Sequence, residues 1–451
     1  MNPQSPAPPP APAATDLVVS AGWVVPVVPR GAVWRDCAVV IAGERIRELL
    51  PRAEALRKYP DAKSLHLPDS LLMPGLVNAH NHAAMTLFRG LADDLPLNLW
   101  LEEHIWPAEA RWVSPDFVAD GTRLAIAEMF AAGTTCFADM YFFPDAVCAA
   151  ARQARIRAQI AFPILEFATP WARNADECLH KGLAVYDEHQ GDAMLRVAFG
   201  PHAPYSVADA TFERIATYAA ELEAGVHIHL HETAREVADA LAAHGERPIA
   251  RLHRLGLLAR TTQCVHMTQV DASDTELLAA TGASVIHCPE SNLKLASGFC
   301  PVPRLRAAGV PVALGTDGPA SNNDLDLFGE MQTAALLAKG LNGDPSCLGA
   351  AEVIEMATLG GAAVLGLDDE IGSLEAGKAA DLIAVEFTDP GALPLYNPLS
   401  QLVYTGCGRR VSHVWVAGQC VLEGGVFRTI DLPALRAHAR EWCARIAGNL
   451  R

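Results

Sequence analysis

The chain has 451 residues, 51% of them hydrophobic and 19% charged, with a net charge of −17. That balance supports a large buried core and excludes a disordered or fibrous protein. Its acidity argues against nucleic acid or an anionic membrane as partner, since both demand basic surface, and no apolar run reaches the ~20 residues that cross a bilayer.

In chain order, residues 1–14 are rich in Pro and Ala and lack the basic region and apolar core of a signal peptide, so they read as a disordered tail. Residues 15–72 hold short β-rich runs broken by Gly and Pro, the pattern of a small antiparallel sheet, and similar runs recur only in residues 368–430. Both ends of the chain are therefore expected to build one composite β-sandwich around an inserted domain. Residues 431–451 read as a C-terminal helix.

The insert, residues 73–367, alternates short apolar strands with amphipathic helices, which predicts a (β/α)8 TIM-like barrel in the α/β class. Strand ends are expected near His82, Met140, Leu165, His202, Glu232, Met267, Ser291 and Asp317. Polar residues gather at those ends, where barrels of this kind build active sites. The eleven cysteines never form Cys-x-x-Cys, so neither a disulfide framework nor a thiolate zinc site is indicated, and reduced thiols in a cytoplasm are the simple reading.

Residues 74–82, Pro-Gly-Leu-Val-Asn-Ala-His-Asn-His, place His80 and His82 two apart. In an extended strand both side chains share a face and can meet one metal ion. Residues 226–233, Val-His-Ile-His-Leu-His-Glu-Thr, offer His227, His229 and His231 on one alternating face, with Glu232 as an acid or base. Spacing does not choose among the three, and each also reads as a core histidine. His266 ends a short apolar strand, and Asp317 follows another and precedes Gly318. Three imidazoles and a carboxylate make a set suited to Zn2+, with other divalent metals compatible.

With these motifs, Cys-Val-His at residues 264–266, Ser-Asn-Leu-Lys-Leu-Ala-Ser-Gly at 291–298 and Gly-Thr-Asp-Gly-Pro-Ala-Ser-Asn-Asn at 315–323, the chain resembles the amidohydrolase superfamily. More narrowly it is similar to the branch of 5′-methylthioadenosine/S-adenosylhomocysteine deaminases and related triazine hydrolases. The resemblance implies His80, His82, His229 and Asp317 as ligands of one divalent metal, Zn2+ before Fe2+ or Mn2+; it puts His227 in the core and His231 beside the ligands. No lysine on the fourth strand could be carboxylated to bridge a second metal.

The implied reaction is hydrolytic deamination of an adenine ring. Asp317 takes a proton from the attacking water, Glu232 protonates the ring nitrogen and His266 orients the oxygen. For the substrate, the resemblance implies Glu109 on the ribose hydroxyls, contacts from His202 and Glu232, and Arg173 as an arginine for the amino-acid carboxylate, while Trp100 reads either as an apolar wall for a thioether tail or as packing of its helix. Phe162 aligns with an arginine that meets the amino-acid carboxylate in relatives using S-adenosylhomocysteine, which predicts preference for an uncharged 5′ group. The partner is then a small nucleoside, and the chain a homo-oligomer. Two other readings are a guanine deaminase or triazine hydrolase of the same superfamily, and a non-catalytic scaffold; the second conflicts with a full set of ligand residues.

Overall fold

In the computed structural model, which describes residues 17–448, eight strands form a sheet in which every neighbouring pair is parallel and every neighbour is consecutive in sequence. They are β1 (Leu76–Asn81), β2 (Thr134–Met140), β3 (Arg157–Ile164), β4 (Leu195–Pro201), β5 (Val226–Leu230), β6 (Thr262–His266), β7 (Ser284–His287) and β8 (Val312–Leu314). Asp317 N donates to His80 O at 3.0 Å, and the side chains of Asn78 and Thr316 pair at 2.8 Å, which joins the chain after β8 to β1. This is the expected barrel. The seventh strand stops at His287, short of Ser291, because Pro289 opens a helix over Pro289–Lys294. The expected tail, residues 1–14, and residues 449–451 lie outside the described part of the chain.

Strands covered on both faces read as continuous apolar runs, and β1, β2, β3 and β5 are buried throughout. The helices outside them start where local chemistry dictates. Pro115–Ala131 begins at Ser114, whose hydroxyl accepts from Phe117 N, with Pro115 as its first residue.

The N- and C-terminal strands join in a second eight-stranded sheet. It is mixed and not purely antiparallel. Leu17–Val24 runs parallel to Lys63–Pro74, since two strands and the helix Arg52–Lys58 carry the chain back to the same end. Alternation sorts its side chains. Leu72, Leu382 and Ala384 join a core within this sheet, while Leu71, Met73, Ile383 and Val385 face the barrel core. The C-terminal helix, Leu432–Ala447, docks on the first barrel helix through Trp442, whose ring lies edge-on to Phe117 and whose Nε1 donates to Asp120.

Gly75 is the only residue between Lys63–Pro74 and β1, and a Cβ there would lie 2.0 Å from Thr135 Oγ1. All eleven cysteines are free. Among the described residues no helix is long and apolar enough to cross a membrane.

One buried ion pair joins the two units. Arg157 Nε on β3 meets Asp381 Oδ2 at 2.6 Å, with side chains 7% and 1% exposed, while Asp381 Oδ1 accepts from Ala417 N. Arg157→Ala leaves a buried carboxylate without its partner and should cost about 3–5 kcal/mol of stability, measured by chemical denaturation.

Candidate metal centre and substrate cavity

His80 lies on β1 and His82 follows its last residue, while His229 lies on β5. One ring nitrogen from each falls within 4.8 Å of the others. Asp317 Oδ1 stands 3.4 Å from His80 Nε2 and 3.3 Å from His82 Nε2. Strands distant in sequence thus bring together the four residues proposed as ligands. Close approach makes this possible, because a Cβ on Gly315 would lie 2.8 Å from His80 N. Asp317 has a left-handed φ of 62°, a strained conformation for a side chain of this kind. Its carboxylate accepts from Ser291 Oγ (2.6 Å), Ser321 Oγ (2.8 Å) and Gly318 N (2.7 Å), which fixes its direction.

The hydrogen-bond network sets the imidazole tautomers. Gln263 Oε1 can only accept, so His227 Nδ1 donates to it at 2.8 Å, leaving His227 Nε2 to accept from His80 Nδ1 at 2.7 Å. Gln263 is itself held by Gln159 and Val364 O. His82 Nδ1 donates to Met140 O (2.6 Å) and His229 Nδ1 to His202 O (2.7 Å). All three Nε2 atoms are left with lone pairs. His80 Nε2 is buried with no hydrogen-bond partner, and a cation would satisfy it. Burial holds His80 and His229 well below 6.5, so both are neutral at pH 7, as ligands must be. This donor set fits a divalent metal.

His227 is therefore more than a core residue, since it orients His80. His231 is not beside the ligands. β5 ends at Leu230, and His231 turns away with φ 53°, its Nδ1 donating to Gln269 O and its Nε2 accepting from Ile249 N.

Glu232 and His266 flank the candidate ligands, with Glu232 Oε2 3.9 Å from His266 Nε2. His266 Nδ1 donates to Asn292 Oδ1 at 2.9 Å, and Ser297 Oγ donates to Glu232 Oε1 at 3.4 Å. Burial pushes the Glu232 carboxyl up. Ser291, Asn292 and Ser297 were visible in sequence as a motif, but only the fold shows which group each one holds.

The cavity over the ligands has walls that include Leu97, Trp100, Leu101, Trp106, Leu165 and Phe167, and none of its lining residues is Lys or Arg. Trp100 sits in a short π-helical segment, Trp100–Ile105, and its Nε1 donates to Ala92 O. Glu109 is buried, accepts from Tyr141 Oη at 2.8 Å and is pushed by burial up to about 7. His202 also lines the cavity, its Nδ1 bonded to Ser206 Oγ, and burial pushes it down to about 4.

Two expectations are corrected. Arg173 is outside the cavity, with its side chain 87% exposed and paired to Glu177 at 2.7 Å, because it sits where the loop leaves the barrel to enter the helix Ala175–His189. Phe162 faces outward from β3. Its ring packs on Phe199 and against Gly182 of that helix, so it replaces no contact inside the cavity. Strand alternation points Pro163 inward instead.

Residues 71–421 match the sequence profile of the Amidohydrolase family. A 5-methylthioadenosine/S-adenosylhomocysteine deaminase of Teredinibacter turnerae is 52% identical over 96% of this chain and 98% of its own, and one of Saccharophagus degradans is 50% identical over 96% and 97%. Among solved structures, an adenosine deaminase from Xanthomonas campestris with bound zinc is 49% identical and covers 97% of this chain and 100% of its own, with a TM-score of 0.95. An atrazine chlorohydrolase from Arthrobacter aurescens, 23% identical over 94% and 99% at a TM-score of 0.89, shares the fold. By sequence profile, by relatives and by fold, the chain belongs to the amidohydrolase family.

Proposed function

We propose that the protein hydrolytically deaminates the adenine ring of nucleosides, with 5′-methylthioadenosine as its preferred substrate. The observation that carries this reading is Glu232, a buried carboxyl raised by its surroundings and placed 3.9 Å from His266 beside the four ligand residues. The activities named for relatives at 49–52% identity support it.

Zinc suits three imidazoles and a carboxylate, and when bound by His80, His82, His229 and Asp317 it lowers the pKa of its water to about 7. The protein's own groups then move the protons. Asp317 takes one proton as the water oxygen adds to C6, and Glu232 delivers another to N1. His266, fixed on Asn292, presents Nε2 to the incoming oxygen and orients it. Asp317 passes its proton to the amine, which leaves as ammonia. The remaining proton on the new oxygen returns to Glu232 as the C6 carbonyl forms. Water and the amine are consumed, and the inosine analogue and ammonia result.

Selectivity follows from the walls. Glu109, braced by Tyr141, accepts from the ribose hydroxyls, and Trp100 and His202 flank the nucleoside. A carboxylate-bearing 5′ group finds no cation in the cavity lining and forgoes about 1.5–3 kcal/mol of charge-assisted bonding. A methylthio group buries itself against apolar walls. The same walls favour methylthioadenosine over S-adenosylhomocysteine, and the Glu109 site favours nucleosides over guanine or triazines.

Three outcomes test the reading. Glu232→Gln should keep its metal and lose about 10²–10⁴-fold in kcat, followed by ultraviolet absorbance with metal analysis in parallel. Turnover of 5′-methylthioadenosine should exceed that of S-adenosylhomocysteine by about tenfold or more in kcat/KM, and equal values contradict the selectivity. Glu109 accepts two bonds only when ionised, so KM should fall as pH rises through about 7, and Glu109→Gln should flatten that dependence.

A further inference from the structure

We propose that Glu236 is a positioning residue that aims Glu232 at the reacting ring by locking the backbone corner at His231. This rests on the reading of Glu232 as the proton carrier. Along β5, His227 and His229 point toward the metal site while Ile228 and Leu230 join the core under the helices. Had the strand continued, Glu232 would point outward with Leu230, and His231 inward. The left-handed φ of 53° at His231 reverses the two. Its ring goes outward to Ile249 and Gln269, and Glu232 turns into the cavity.

A non-glycine residue holds that conformation only if its surroundings over-determine it. His231 O accepts from Thr268 N (3.0 Å) and Gln269 N (3.2 Å), and its ring nitrogens are both bonded. The amide groups on either side of the corner go to one side chain. Glu236 Oε1 accepts from His231 N at 2.9 Å, and Oε2 accepts from Glu232 N at 2.7 Å. Glu236 lies in the first turn of the helix Ala234–His244, and its backbone N donates to Oγ1 of the cap residue Thr233 at 3.2 Å. In an ordinary capping box the acidic side chain returns to the amide of the cap residue itself. Here it reaches further back, to two amides beyond the cap. Both oxygens are needed, and glutamine supplies one.

The test uses the full-length, zinc-loaded protein with 5′-methylthioadenosine. Glu236→Ala and the milder Glu236→Gln should each lower kcat by about tenfold or more, with KM changed less than about twofold and zinc content unchanged. Combined with Glu232→Gln, neither should lower the residual rate further, because the residue it positions is already disabled. A normal kcat in Glu236→Gln overturns the proposal, as does an equal loss in both backgrounds, which would mark a general structural role. If Glu236→Ala does not fold, Glu236→Gln carries the comparison alone. A fully active Glu232→Gln protein would overturn the underlying reading as well, and that single variant identifies this case.

Discussion

The hydrogen bond from Asp317 N to His80 O joins the chain after β8 to β1 and, in the same contact, brings the Asp317 carboxylate to the histidines of the candidate metal centre. Both roles need β8 to approach β1 more closely than a side chain at Gly315 allows. Once the backbones meet, the Asp317 carboxylate stands against His80 and His82, and three donors hold it there. Fold closure and ligand placement are therefore coupled: loosening one strand pair disturbs both.

Burial does the electrostatic work around that contact. It keeps His80 and His229 neutral, while the chain from His80 through His227 to Gln263 selects the tautomer with a lone pair facing inward. The same low-polarity setting raises Glu232 and Glu109. A raised carboxyl such as Glu232 is the kind of group that general acid catalysis uses. A cavity lining without Lys or Arg leaves these acids uncompensated by cations.

Much of this was legible in sequence, for identifiable reasons. The His80 and His82 pair shows because a strand repeats every two residues, and the barrel shows because apolar strands alternate with amphipathic helices. The same period misleads at His231, where one left-handed residue breaks it, a feature with no signal in a histidine codeword. Phe162 differs from its expected place because a match to relatives says nothing about which face of β3 a residue occupies. The parallel pair in the terminal sheet depends on which strands become neighbours, a long-range outcome that local patterns do not carry. The orienting role of His227, and Gln263 behind it, has no sequence signal, because their work is to hold another residue's proton.

Titration of metal-free protein with zinc, with bound ion and deamination of 5′-methylthioadenosine measured on the same samples, tests the metal centre most directly. Activity should rise in proportion to bound zinc and reach its maximum at one ion per chain. Full activity in the metal-free protein, or a maximum reached only with two ions, would contradict a single site built from His80, His82, His229 and Asp317.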